Sequence, residues 1–348
     1  MKKSTWWIIT VITVAAIAAI FFMLKTQEQT SGEKVKTKDD AKDKLLVSFT
    51  DQKLNNTYYL HGQALDTEKL TAYPSIAFDA KKRLLYFTST DEATQKVSIQ
   101  ELHVKTGKKT TIYTGEDSVD SMRLSANGNE IYVRFNKDSG EQFYVAMFDL
   151  KKKRFDTLYP EKNNDDDTVS SFAYDVKTGN IAIQHYSLKE DYRKTDEANE
   201  KGVMPEPTTM KITLQENGTL KDVAKISAVI NDISLSPDMK QLVYTVTEVQ
   251  NNKETSSIQV LDLVTGQKKT LVKNQSSYQI ISAAQPQFSS DGHSIYFMGI
   301  AKGAKQLKDD TGRKAKVRTI FEYDVKTKEV EVAWEKSGGI INNFTVSE

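Results

Sequence analysis

Beyond residue 43 the apolar positions fall in short alternating runs: Leu84-Leu85-Tyr86-Phe87, Ile131-Tyr132-Val133-Arg134-Phe135, Ile181-Ala182-Ile183, Leu242-Val243-Tyr244-Thr245-Val246 and Ile295-Tyr296-Phe297-Met298. Turn dipeptides separate them: Asn127-Gly128, Thr178-Gly179, Pro237-Asp238, Thr265-Gly266 and Asp291-Gly292. Short strands punctuated this regularly predict a β-sandwich, barrel or propeller. No long stretch of this region has helical periodicity, so the expected class is all-β.

An internal repeat chooses among those architectures. FDAKKRLLYF starts at Phe78, LSANGNEIYV at Leu124, YDVKTGNIAI at Tyr174, LSPDMKQLVY at Leu235 and FSSDGHSIYF at Phe288, at spacings of 46, 50, 61 and 53 residues. Each unit is an apolar strand, a polar turn and a second apolar strand. A second strand pair follows each, as in IQVLDLVTGQKKTLV or IFEYDVKTKEVEVAW. Four antiparallel strands per repeat describe a propeller blade. Five full repeats occupy about residues 72–115, 117–160, 167–226, 228–274 and 280–337. A lone first strand, Ile340–Val346, is left at the C-terminus. A partial unit lacking its first strand stands at the N-terminal side, with Leu45–Phe49, Thr57–Leu60 and a short run near Lys69–Ala72. Joined, the two fragments make a sixth blade and close the ring without an open edge.

LSPDMKQLVYT followed by IQVLDLVTGQKKTL resembles the repeat of TolB-type six-bladed β-propellers, also found in the propeller domains of prolyl-oligopeptidase-like peptidases. The resemblance covers residues 44–348 and is clearest in Leu235–Val272 and Phe288–Phe297. Asp79-Ala80-Lys81-Lys82 and Asp175-Val176-Lys177-Thr178-Gly179 depart from its Ser-Pro-Asp-Gly turn. It implies six four-stranded antiparallel blades and a protein–protein scaffold.

The first 24 residues read differently. Trp6 to Leu24 is an uncharged run of 19 residues, which spans about 28 Å as a helix, close to the hydrocarbon thickness. Lys2 and Lys3 precede it and favour a cytoplasmic N-terminus. A cleaved signal peptide is the competing reading. Ala16-Ile17-Ala18 has the small-x-small form, but the apolar run continues to Leu24 and favours an uncleaved transmembrane anchor. Residues 25–43 hold five Lys, five Asp or Glu and one branched apolar residue, Val35, a composition that predicts a flexible charged tether. The expected organisation is an anchor at 1–24, a tether at 25–43 and an extracytoplasmic propeller at 44–348.

Composition narrows the chemistry. Of 348 residues 48 are Lys or Arg and 47 Asp or Glu, and a net charge of +1 argues against a nucleic-acid binder. No Cys is present, which excludes disulfides, thiolate nucleophiles and Cys-ligated zinc. The sequence has no Gly-x-Ser-x-Gly elbow, phosphate loop or His-Glu-x-x-His. A peptidase would also need an additional α/β domain. His61, His103, His185 and His293 lack metal-ligand spacing. Asn163-Asn164-Asp165-Asp166-Asp167 supplies calcium-type oxygen ligands without an EF-hand order, and also suits an interblade turn. Expected first strands contain only two carboxylates, Asp120 and Asp232. They would make an acid/base pair if they met across the channel, as in a calcium-dependent propeller hydrolase or lyase.

Two insertions stand out, Ser187–Thr208 in the third repeat and Gly299–Val317 in the fifth. Both join a second strand to a third, so strand alternation places them on one end of the ring, together with Asp165–Asp167. The first has six acids and four bases and reads as a solvated loop or a recognition loop. Residues 302–316 carry six bases and two acids, a local +4. Lys302, Lys305, Lys308, Arg313, Lys314 and Lys316 are the expected partner-binding residues, recognising an acidic envelope protein or an anionic wall polymer. The reading is a membrane-anchored, monomeric, non-enzymatic binding scaffold that uses no cofactor.

Overall fold

A computed structural model describes residues 36–37, 44–137, 140–216, 218–250 and 253–347. The expected transmembrane helix and most of the expected tether lie outside these residues. Among the described residues no helix is long and apolar enough to cross a membrane.

The chain forms an all-β six-bladed propeller of antiparallel blades. Blade 1 is Ile76–Asp79, Leu84–Thr90, Val97–His103 and Lys108–Gly115, and blade 2 is Ser118–Leu124, Glu130–Asn136, Phe143–Asp149 and Arg154–Tyr159. Blade 3 is Asp167–Tyr174, Ile181–Ser187, Met210–Glu216 and Thr219–Ile226, and blade 4 is Val229–Leu235, Gln241–Gln250, Lys253–Asp262 and Lys268–Val272. Blade 5 is built on Ser294–Ala301, Thr319–Asp324 and Val330–Glu335. In blade 6, Gly339–Ser347 pairs antiparallel with Lys44–Asp51, with Leu45 opposite Val346 and Val47 opposite Phe344, followed by Asn55–Leu60 and Gln63–Lys69.

Burial explains the pattern of the runs. Inner strands pack against neighbouring blades on both faces, so a second strand such as Ser294–Ala301 is buried at six successive residues. Fourth strands face solvent, and Lys108–Gly115 opens with four exposed residues. Apolar clusters fill the gaps between blades: Leu46, Tyr58, Leu85 and Phe87 between blades 6 and 1, and Ile212, Leu214, Ile233 and Tyr244 between blades 3 and 4. Between blades 5 and 6 the buried Trp334 meets Phe49 and Tyr59 at 6.1 and 5.8 Å.

Four expectations change. Blade 5 has no continuous first strand over Ala283–Phe288. Tyr278–Ile280 and Gln287–Phe288 pair separately with Ser294–Ala301, because Pro286 has no N–H for the ladder and Gln285 sits at φ 49°. The outer strand of blade 6 is Gln63–Lys69, earlier than the run near Lys69–Ala72. Lys36–Thr37, within the expected tether, pairs with Glu335 and Trp334 as an edge strand of blade 5. The insertion after Ser187 is a helix, α1 (Leu188–Lys201), in a region where no helical periodicity was expected.

Candidate binding face

Helix α1 has little apolar surface, with Ala198 its one buried residue, and its stability comes from its ends. Ser187 is the N-cap. Its hydroxyl accepts the Glu190 amide at 3.0 Å and donates to Asp166, whose carboxylate also accepts the Lys189 amide at 2.8 Å. Gly202 ends the helix at φ 65°, a left-handed turn that favours glycine. Glu190 bonds Lys194 at 2.8 Å and takes the Thr209 amide. Lys194 first, then Thr209, hold its carboxyl down at about 2. The signature Ser187-x-x-Glu190 and the terminal Gly202 were available in the sequence. The missing apolar stripe hid them.

The acidic turn is thereby assigned. Asp166 caps α1. Asp167 lies 3.4 Å from His185 Nδ1 and 3.7 Å from Lys211 Nζ and accepts from Asn164. Burial pushes Asp167 upward, but Asn164, His185 and Lys211 outweigh it and leave the carboxyl below its usual range. Among the described residues no group of three or more His, Cys, Asp or Glu side chains is placed to hold a metal ion.

In the second insertion, Gln306–Lys308 and Lys314–Lys316 form a hairpin. The Asp309 carboxylate organises its turn by accepting the amides of Thr311 and Arg313, each at 3.0 Å. The hairpin leans on blade 6, where the Asp310 amide bonds the Gln52 carbonyl and the Gln52 amide bonds the Lys308 carbonyl. Lys302, Lys305, Lys308, Arg313, Lys314 and Lys316 are all exposed. Lys308 is directly opposite Lys314, and none of the six has an ion pair with a described residue. Arg313 alone has an aromatic partner, with its guanidinium 5.2 Å from the Tyr73 ring.

Both insertions leave the end of the ring where inner strands begin. Between them the long second and third strands of blade 4 meet at Gln250 and Lys253. The same end displays Tyr73, Tyr192, Val203, Met204, Val229 and Val249, all exposed. At its centre the channel opens into a cavity of about 600 Å³. Extra residues in the inner strands shape this mouth: Ser170, Asp232 and Asn342 each bulge opposite their second strands. Polar side chains beside the bulges tie each blade to the next. Ser75 Oγ accepts the Ser121 amide at 2.8 Å, and Gln287 Oε1 accepts the Val346 amide at 3.1 Å.

Asp120 and Asp232 both line this cavity. Asp120 is held by Arg134 through two 2.8 Å bonds, while Arg134 also donates to the Ser170 carbonyl and stacks on Phe143 at 4.3 Å. Burial pushes Asp232 up to about 6, against the pull of Arg123, the Gln285 amide and Arg134. The pair therefore meets arginines. Arg123, Arg134 and Arg318 were not singled out in the sequence. The available signal was an arginine within an otherwise apolar central strand, as at Arg134.

No protein-family model matches the chain. The uncharacterized protein YdjN of Bacillus subtilis (strain 168) is 42% identical over 326 residues, covering 94% of this chain and 93% of that protein. Among solved structures, TolB from Acinetobacter baumannii aligns with TM-score 0.57 and 12% identity over 89% of this chain and 68% of its own. Oligogalacturonate lyase from Vibrio parahaemolyticus aligns with TM-score 0.52 and 9% identity over 86% of this chain and 71% of its own. At these identities the two structures share the propeller fold.

Proposed function

The chain belongs to the family of YdjN, and we propose that it is a non-catalytic binding propeller, tethered outside the cell membrane by residues 6–24, that captures an acidic envelope protein or anionic wall polymer. The observation that carries this reading is the convergence on one end of α1, the basic hairpin and six exposed apolar residues, an arrangement the fold itself does not require. Like charges directly opposite in a hairpin are destabilising. Lys308 opposite Lys314 gives up stability, and an anionic partner would return it. The enzymatic alternative loses ground because Asp120 is committed to Arg134.

The test uses the full chain in detergent against envelope extract, with the six hairpin-region cations replaced by Ser in a second preparation. The parent should retain a partner that is released as salt rises through the range where the Debye length falls below about 8 Å. The substituted protein should fail to retain it. Retention by both with the same salt dependence would place the contact elsewhere. External protease on wall-less cells should release the propeller, and full protection would contradict the topology.

A further inference from the structure

The charge at the channel mouth is unbalanced. Four arginines and two aspartates line the cavity, together with neutral polar and apolar side chains. Arg134 and Asp120 neutralise each other, which leaves Arg123, Arg313 and Arg318 facing Asp232 alone. Arg123 and Arg318 are half-buried, deep among the blades, yet lie within 4 Å of no described carboxylate. Each is seen to donate to a single backbone carbonyl, of Met122 and Ile341 respectively, both at 2.9 Å. A guanidinium has five N–H donors, so most of theirs are unused by the protein. Burial lowers both groups' pKa, opposed at Arg123 by Asp232 and assisted at Arg318 by Arg313. Holding positive charge at such depth is costly, and a bound oxyanion removes that cost through charge-assisted bonds.

We propose that the channel mouth is a binding site for a sugar-sized hydroxylated ligand bearing a carboxylate or phosphate, drawn by the unpaired guanidinium groups that line the cavity, Arg123 and Arg318 among them. The cavity volume of about 600 Å³ suits one or two sugar rings. Asn231, Ser282 and Gln285 line it with groups suited to hydroxyls, and the exposed Tyr73 supplies a flat apolar platform at the rim. The inference goes beyond the partner reading, because it needs no contact with the hairpin lysines.

Calorimetric titration of the full chain in detergent tests it, with D-glucuronate, D-glucose 6-phosphate, inorganic phosphate and D-glucose as probes. Saturable binding of glucuronate identifies a carboxylate-bearing source, and binding of glucose 6-phosphate a phosphate-bearing one. Either supports the site. Arg123→Gln and Arg318→Gln should each weaken the charged sugar about tenfold or more, the loss expected for a charge-assisted contact. Because Arg318 also ties Ile341, Asn231→Asp serves as an isosteric second variant. It adds a carboxylate to the cavity and should weaken binding by about the same factor. Lys105→Ser, at the opposite end, controls for nonspecific charge and should change nothing. The proposal is overturned if glucose binds as tightly as the charged sugars, if inorganic phosphate alone binds as well as either, if no probe binds, or if folded Asn231→Asp keeps the parent affinity.

Discussion

Asp232 concentrates the chemistry of the channel in one side chain. It sits at φ 48° on a bulge, faced by Arg123 and Arg134 and by the like charge of Asp120, with Arg313 and Arg318 lining the same cavity. Its carboxyl is raised to about 6, chiefly by burial. Between the ordinary carboxylate value and about 6 the folded protein holds a proton that the unfolded chain has lost. Stability therefore falls as pH rises through that window and stays lowered above it. Asp232→Asn keeps a residue that tolerates left-handed backbone and removes the charge. It should raise stability at pH 7.5 by about 1–3 kcal/mol and have no such effect near pH 3, read by denaturant unfolding at both values. Protonating Asp232 also removes the one negative charge opposing the unpaired arginines. Glucuronate affinity in the channel should therefore rise several-fold between pH 7 and pH 5, as calorimetry would show. Although the observed inner strands extend to include Asp79 and Asp167 as well, Asp120 and Asp232 were legible as the carboxylates of the expected first strands. Their partners were not, because which arginine reaches the channel depends on a one-residue bulge that the sequence pattern leaves unmarked.

At the scale of elements, α1 shows how a helix forms where propensity and caps act without a buried stripe. The polar composition of residues 187–208 hid it from periodicity, although the cap residues at both ends were in view. Removing a cap should therefore matter more than changing its surface. Asp166→Ala leaves the Lys189 amide and the Ser187 hydroxyl without their acceptor. It should cost the helix about 1 kcal/mol and raise amide exchange across Leu188–Lys201 while leaving the blades protected. The second insertion behaves differently, since its six cations make no ion pair with described residues. Replacing them with Ser should leave the melting temperature within a degree or two, as expected for exposed positions. The blade strands were legible because their apolar runs recur at blade spacing. The split first strand of blade 5 was not, because one proline and one left-handed residue interrupt an otherwise ordinary run.

The whole ring depends on its last strand. Gly339–Ser347 is the innermost strand of blade 6, and Trp334 packs between blades 5 and 6. Deleting residues 338–348 should expose a strand edge and two blade faces, lower the unfolding temperature steeply and promote aggregation. An unchanged calorimetric transition would contradict the closure. A closed ring is rigid, so what distinguishes its two ends is what each displays. One end carries short turns. The other carries α1, the long blade 4 strands, the hairpin and the arginine-lined mouth. The claim that this second end meets the partner is tested most directly by photo-crosslinking in intact cells. A photoreactive residue would be placed singly at Tyr192, Lys308 or Lys314, and at Lys105, Lys151 or Lys326 on the opposite end. The account predicts a common adduct from the first three positions and none from the last three. Adducts from Lys105, Lys151 and Lys326 with none from Tyr192, Lys308 and Lys314 would contradict it.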